Sequence, residues 1–137
     1  IFCMPGVRLG YALCGNEMLR MKMRAMLQPW NVSVMAQEAG VAALTDCGQY
    51  LKDTRQFIRT QKQWMIERME MHGYQVYGSE ANYIFFHGKK GLYEKALHEG
   101  LLIRDCQNYE GLEEGYYRVA VRTEEENERL ITWLERL

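Results

Sequence analysis

Arg104 and Arg118 are the residues of this chain whose types and setting could do chemistry. They stand fourteen residues apart, each beside an apolar run. Leu101–Leu102–Ile103 reads as a short buried strand leading into Arg104. Tyr116-Tyr117-Arg118-Val119-Ala120-Val121-Arg122, rich in aromatic and β-branched residues, reads as a second strand. A guanidinium kept beside a buried strand destabilises the fold unless an anion pairs with it. Guanidinium groups grip carboxylates and phosphates in bidentate fashion. Two of them on adjacent strands could therefore hold a small ligand with two anionic groups. Both side chains could equally reach water or meet surface glutamates, and the residues alone leave the two readings open. Arg8, at the mouth of the apolar run Leu9–Cys14, shares the ambiguity: it could cap a loop carbonyl or bind an anion where the backbone turns.

Other side chains capable of chemistry are scattered. The cysteines Cys3, Cys14, Cys47 and Cys106 form no C-x-x-C pair, and His72, His87 and His98 lie far from one another. That spacing argues against a zinc site and against a disulfide-stapled domain, and reduced thiols are expected. No metal site is expected. The formal net charge is −1, which gives no basic footprint for nucleic acid. No apolar run approaches the roughly 18 residues of a membrane-spanning helix. Most of the methionines, among them Met18, Met21, Met35, Met65 and Met69, fall at helical spacing and read as core filler. Glu124-Glu125-Glu126 follows Thr123 in a capping-box pattern, so the triple glutamate reads as a helix start.

The elements that must position the arginines follow from period and punctuation. Pro5-Gly6 is a turn signal, and Leu9–Cys14 reads as a buried strand. Asn16 caps an expected helix through Leu27, which Pro29 follows. Ser33 caps a second through Leu44, whose small residues suit a buried or subunit-facing helix. Cys47, Tyr50, Thr54, Phe57, Gln61, Trp64/Met65 and Met69 mark one stripe of a long helix over 46–72, about 40 Å in length, with Gly73 as its stop. Strands are expected at Tyr74–Tyr77 and Ala81–His87, a helix up to Gly100, then the two arginine strands and a last helix with Leu130, Ile131, Leu134 and Leu137 inward.

A lone strand at 9–14 cannot satisfy its own backbone groups. It is expected to belong to a larger sheet upstream, and the chain, opening on Ile1, is expected to be part of a longer one.

The chain resembles the C-terminal part of fold-type I pyridoxal-phosphate enzymes, the class I/II aminotransferase superfamily, over essentially its whole length. Pro5-Gly6-Val7-Arg8-Leu9-Gly10-Tyr11 resembles the segment just after the Schiff-base lysine of that family. Leu102–Cys106, Asn108-Tyr109, Gly111-Leu112, Tyr116–Arg122 and Glu126–Leu130 resemble the threonine-phosphate decarboxylases, with histidinol-phosphate aminotransferases as near relatives sharing the arginine pair.

The resemblance implies a fold class of α/β followed by α+β. Residues 1–45 would be the tail of a large pyridoxal-phosphate-binding domain, 46–72 an interdomain helix, and 73–137 a small C-terminal domain with a sheet of three or four strands covered by helices on one side. It implies pyridoxal 5'-phosphate as cofactor, with Arg8 on the cofactor phosphate, Arg104 on a substrate phosphate and Arg118 on the substrate α-carboxylate. Arg122 is left structural. No catalytic residue is expected within the chain, because the Schiff-base lysine is expected just before Ile1. The implied activity is decarboxylation of L-threonine O-3-phosphate; transamination of histidinol phosphate, or a non-catalytic anion-binding remnant of the fold, are the alternatives. A cytoplasmic homodimer acting on a phosphorylated amino acid is expected, with no nucleic-acid or membrane partner.

Overall fold

Short-range signals built the helices where the sequence placed them. A computed structural model describes residues 1–137. Asn16 precedes α1 (Glu17–Met26), and its side-chain oxygen accepts from the Leu19 N–H at 3.0 Å. Ser33 does the same for α2 (Val34–Leu44), accepting from Ala36 N–H at 3.2 Å. Each such cap stabilises its helix by about 1 kcal/mol. The long helix α3 covers Gly48–Met71 and ends where Gly73, at φ +83°, takes the left-handed conformation. A 3-10 turn occupies Pro5–Val7.

The chain divides into two units, Ile1–Lys52 and Asp53–Leu137. In the first, the expected strand over 9–14 does not form. Residues 9–14 form no ladder, and Tyr11 and Leu13 are exposed. A strand exists only through a neighbour's N–H and C=O groups, and none of the four strands of this chain pairs with it. The small-residue helix α2 buries only Ala36 and Gly40 within this chain.

The second unit is a four-stranded antiparallel sheet in the order β1-β2-β4-β3, covered on one face. Its strands are β1 (Gln75–Tyr77), β2 (Tyr83–His87), β3 (Arg104–Asp105) and β4 (Tyr116–Ala120). The expected strand at Leu101–Ile103 is displaced: pairing begins only at Arg104, although Ile103 is buried. Alternation decides the faces. Ile84 and Phe86 of β2, with Tyr117 and Val119 of β4, point into one core. Met65 and Met69 of α3, Leu92 and Ala96 of α4 (Leu92–His98), and Leu130, Ile131 and Leu134 of α5 (Glu124–Leu134) fill the other side of it.

Buried polar groups in this core are all partnered. The Asn127 side chain donates to Gln61 Oε1 at 2.9 Å and to the Arg122 carbonyl at 3.0 Å, and accepts from the Arg122 N–H at 2.9 Å. It thereby continues β4's hydrogen bonding past the strand end. The Tyr117 hydroxyl donates to the Lys89 carbonyl at 3.1 Å and accepts from the Leu92 N–H at 3.2 Å, fixing the entry to α4. Burial pushes its phenol upward, so it remains a neutral donor.

Thr123 and Glu126 form the full capping box of α5. Arg122 Nη2 lies 2.7 Å from Glu126 Oε1 in an ion pair, and Arg122 Nε donates to the same oxygen at 2.8 Å. That hydrogen bond, followed by the one from Thr123, lowers the Glu126 carboxyl from its ordinary 4.5 to about 2. A carboxylate depressed in the folded state contributes stability above its unfolded value and loses it as pH falls through the folded one. The Glu126 contribution is therefore complete above about 4.5 and fades toward about 2. Glu126→Gln is expected to flatten the acid limb of a urea-midpoint-against-pH curve in that window. The pair is exposed, so the difference between the two proteins should shrink with added salt.

Candidate functional site

The register of the sheet sets Arg104 and Arg118 directly opposite each other. They are cross-strand partners in the β3–β4 ladder. Directly opposed residues on one face have Cβ atoms about 5 Å apart, and like charges in that position destabilise the pairing. Neither guanidinium forms an ion pair with a carboxylate of this chain. A dianion, or two anionic groups of one ligand, would relieve the repulsion that the fold imposes.

The guanidinium groups are held by different devices. Arg104 Nη2 donates to Asn108 Oδ1 at 2.9 Å, and its Cζ lies 5.5 Å from the Tyr109 ring centre. Asn108 and Tyr109 belong to the connection between β3 and β4. Arg118 is half-buried, and its Cζ lies 4.6 Å from the Tyr83 ring centre. Sequence reasoning assigned no role to Tyr83, Asn108 or Tyr109. The Arg104–Asn108 spacing was a readable signal, whereas Tyr83 is brought to Arg118 only by the β2–β4 register.

The same row of the sheet continues as Tyr77, Phe85, Arg118 and Arg104, one residue from each strand. Tyr77 and Phe85 lie 5.2 Å apart, and Phe85 stacks on Tyr116 at 5.8 Å. The uncovered face therefore grades from aromatic to cationic across the four strands. Cys106 lies beneath the cationic end, 2% exposed, with its N–H donating to the Tyr116 carbonyl at 2.9 Å. Burial pushes its thiol up more than Arg118 and Arg104 pull it down. A thiol shifted upward is a poor nucleophile at neutral pH.

Arg8 lies in the first unit. It follows the Pro5–Val7 turn in the left-handed region, at φ 58° and ψ 32°. Its main-chain N–H and its Nη1 both donate to the Pro5 carbonyl, each at 3.2 Å. A non-glycine residue in that conformation is strained by about 1–3 kcal/mol. The structure thus brings Arg104 and Arg118 together, while Arg8 stands on its own turn, exposed. His87 packs against Tyr116 at 4.8 Å, and Arg122 is taken by Glu126. No three His, Cys, Asp or Glu side chains cluster as a metal site would require, and no helix is long and apolar enough to cross a membrane.

Residues 1–134 match the family model described as aminotransferase class I and II. Threonine-phosphate decarboxylase of Salmonella typhimurium is 33% identical over 97% of this chain and 37% of its own length. Histidinol-phosphate aminotransferase 2 of Archaeoglobus fulgidus is 32% identical over 99% of this chain and 40% of its own. The chain thus spans well under half the length of these curated relatives. Among solved structures, the histidinol-phosphate aminotransferase of Clostridium acetobutylicum matches with a TM-score of 0.88 at 29% identity, covering 98% of this chain and 42% of that one. L-threonine-O-3-phosphate decarboxylase of Porphyromonas gingivalis matches at 0.80 and 29%, covering 97% and 42%.

Proposed function

Starting from the fact that this chain belongs to the aminotransferase class I and II family, we propose that it is the C-terminal portion of a pyridoxal-phosphate-dependent decarboxylase. The substrate is L-threonine O-3-phosphate, and the products are (R)-1-amino-2-propanol O-2-phosphate, an intermediate for cobalamin biosynthesis, and CO2. Residues 1–45 close the large cofactor-binding domain, 46–72 link the domains, and 73–137 form the small domain. The enzyme works as a cytoplasmic homodimer.

The observation that carries the reading of a ligand with two anionic groups is the directly opposed, carboxylate-free pair Arg104 and Arg118; the similarity to threonine-phosphate decarboxylase favours decarboxylation of such a ligand. Arg118 binds the α-carboxylate, and where it places that group helps choose which bond of the α-carbon is held for cleavage. Arg104 binds the phosphate. An unphosphorylated amino acid leaves one guanidinium of the pair unneutralised, which discriminates against it. Arg8 fits the cofactor's phosphate: one edge of its side chain is tied to Pro5, and its remaining N–H groups are left for a compact oxyanion. Bound pyridoxal phosphate supplies the electron sink for the bond broken at the α-carbon.

A second reading, histidinol-phosphate aminotransferase, is favoured by the similarity to the Clostridium acetobutylicum structure. It uses the same pair, with Arg118 holding the carboxylate of the amino-group partner. The full-length protein with its cofactor decides between them. Release of CO2 from L-threonine O-3-phosphate is expected. Glutamate formation from histidinol phosphate and 2-oxoglutarate without CO2 would select the second reading. Absence of both reactions, with calorimetry showing phosphorylated amino acids still bound, would leave an anion-binding remnant of the fold.

A further inference from the structure

We propose that Tyr83 is a positioning residue for Arg118, holding the guanidinium by the face of its ring and leaving the N–H edges for a planar carboxylate. This rests on the reading of Arg118 as the α-carboxylate arginine. A long guanidinium side chain loses roughly 2 kcal/mol of rotamer freedom when fixed, so something other than its ligand must hold it if the site is to be ready. Arg104 is held through one of its own N–H groups, which donates to Asn108. Arg118 donates no side-chain hydrogen bond within the chain and makes no ion pair. The contact left to fix it is the Tyr83 ring, 4.6 Å below its Cζ. A cation over a ring face is attracted by the ring's quadrupole, and that contact uses none of the in-plane donors a carboxylate needs.

The sheet explains how the ring comes to lie there. Tyr83 is paired with Ala120, two residues along β4 from Arg118. Diagonal neighbours of that kind are within reach of aromatic and long side chains, and the alanine offers nothing to block the approach. The backbone under the ring is pinned. The Tyr83 carbonyl accepts from the Ser79 hydroxyl, and the Ser79 and Ala81 carbonyls accept from Lys62 Nζ of α3, at 2.6 and 3.2 Å. The Tyr83 hydroxyl takes no part in this network. The ring therefore carries the function, and phenylalanine should serve as well.

Binding measured by calorimetry on the full-length protein, its cofactor first fixed to the protein by borohydride reduction so that bound ligand is not turned over, tests this with two ligands. One is O-phospho-L-threonine, which has the α-carboxylate. The other is 1-amino-2-propanol O-phosphate, which lacks it. In Tyr83→Leu, the Kd for the first is expected to rise on the order of five- to thirty-fold, and the Kd for the second to stay within twofold of wild type, about the scatter of such measurements. Tyr83→Phe should bind both as wild type does. In an Arg118→Leu background, Tyr83→Leu should add no further loss. Tyr83→Ile, a good strand former, repeats the test should leucine disturb β2. Equal weakening for both ligands, loss in Tyr83→Phe, or full additivity with Arg118→Leu would overturn the proposal. Wild-type protein that binds neither ligand would overturn the proposed function and this inference with it, and that arm is read before any variant is made.

Discussion

Arg104→Ala weakens O-phospho-L-threonine far more than unphosphorylated L-threonine, whereas Arg118→Ala weakens both. Removing one member of a hydrogen-bonded charge pair that the bound ligand desolvates costs about 2–5 kcal/mol, a loss of roughly thirty- to several-thousand-fold in affinity; Arg104, exposed at the sheet edge, belongs at the lower end of that range. For Arg104→Ala the whole of it should fall on the phosphorylated ligand. The unphosphorylated one should bind at least as well as before, because deleting Arg104 also removes the cation that faces Arg118 across the ladder. That sign is the sharper part of the test. A mutation that merely damaged the sheet would weaken both ligands together. In Arg118→Ala the phosphate contact survives, so binding of the phosphorylated amine without a carboxylate should be retained. Equal losses for both ligands in both variants would remove the division of labour between the arginines.

Why the two guanidinium groups can be opposed at all is a matter of what surrounds them. Arg104 lies at the sheet edge, exposed, where water screens it. Arg118 is one strand further in and rests on an aromatic ring. The Tyr77–Phe85–Tyr116 cluster supplies apolar area on the same face without supplying a carboxylate. The unit thus keeps two positive groups unneutralised where an acidic neighbour would have been the more stable choice. Stability withheld in this way is the expected mark of a binding surface.

Local rules were legible in the sequence and register was not. Asn16, Ser33, Thr123 and Gly73 act on backbone groups a few residues away, and each helix boundary they predict falls within about two residues of the observed one. The β2 and β4 alternation was readable for the same reason: the inward and outward residues follow from period two within one strand. What failed depends on partners distant in sequence. Leu9–Cys14 has the composition of a buried strand but pairs with none of the four strands of this chain. Leu101–Ile103 looked like the strand, yet pairing starts at Arg104, where the backbone meets β4. Adjacency of Arg104 and Arg118 on neighbouring strands could be guessed from their settings. Their direct opposition, and the ring of Tyr83 under Arg118, are consequences of a register that composition does not encode.

The core that fixes this register should be vulnerable at Phe86 above all. Phe86 is fully buried in β2, paired with Val76 of β1 on one side and Tyr117 of β4 on the other. Its ring meets Tyr74 edge-on at 5.7 Å and Tyr117 at a tilt at 5.8 Å. Truncation to alanine removes the buried ring, opens a cavity, and breaks both aromatic contacts. Such a change costs about 3–5 kcal/mol. The next residue is the internal control. Phe85 points to the uncovered face, half-buried, as the cross-strand partner of Arg118. Phe85→Ala loses cross-strand contacts without leaving an enclosed cavity, and should cost about 1–2 kcal/mol. Urea unfolding of the full-length protein, followed by tyrosine and tryptophan fluorescence, measures both. Ligand binding at low urea should invert the ranking. Phe85→Ala alters the neighbour of Arg118 directly, while the folded fraction of Phe86→Ala should bind as wild type does. If Phe85→Ala proved as destabilising as Phe86→Ala, the two faces of the sheet would be equally buried in the working protein. The aromatic half of the row would then be core, and only its arginine end would remain available to a ligand.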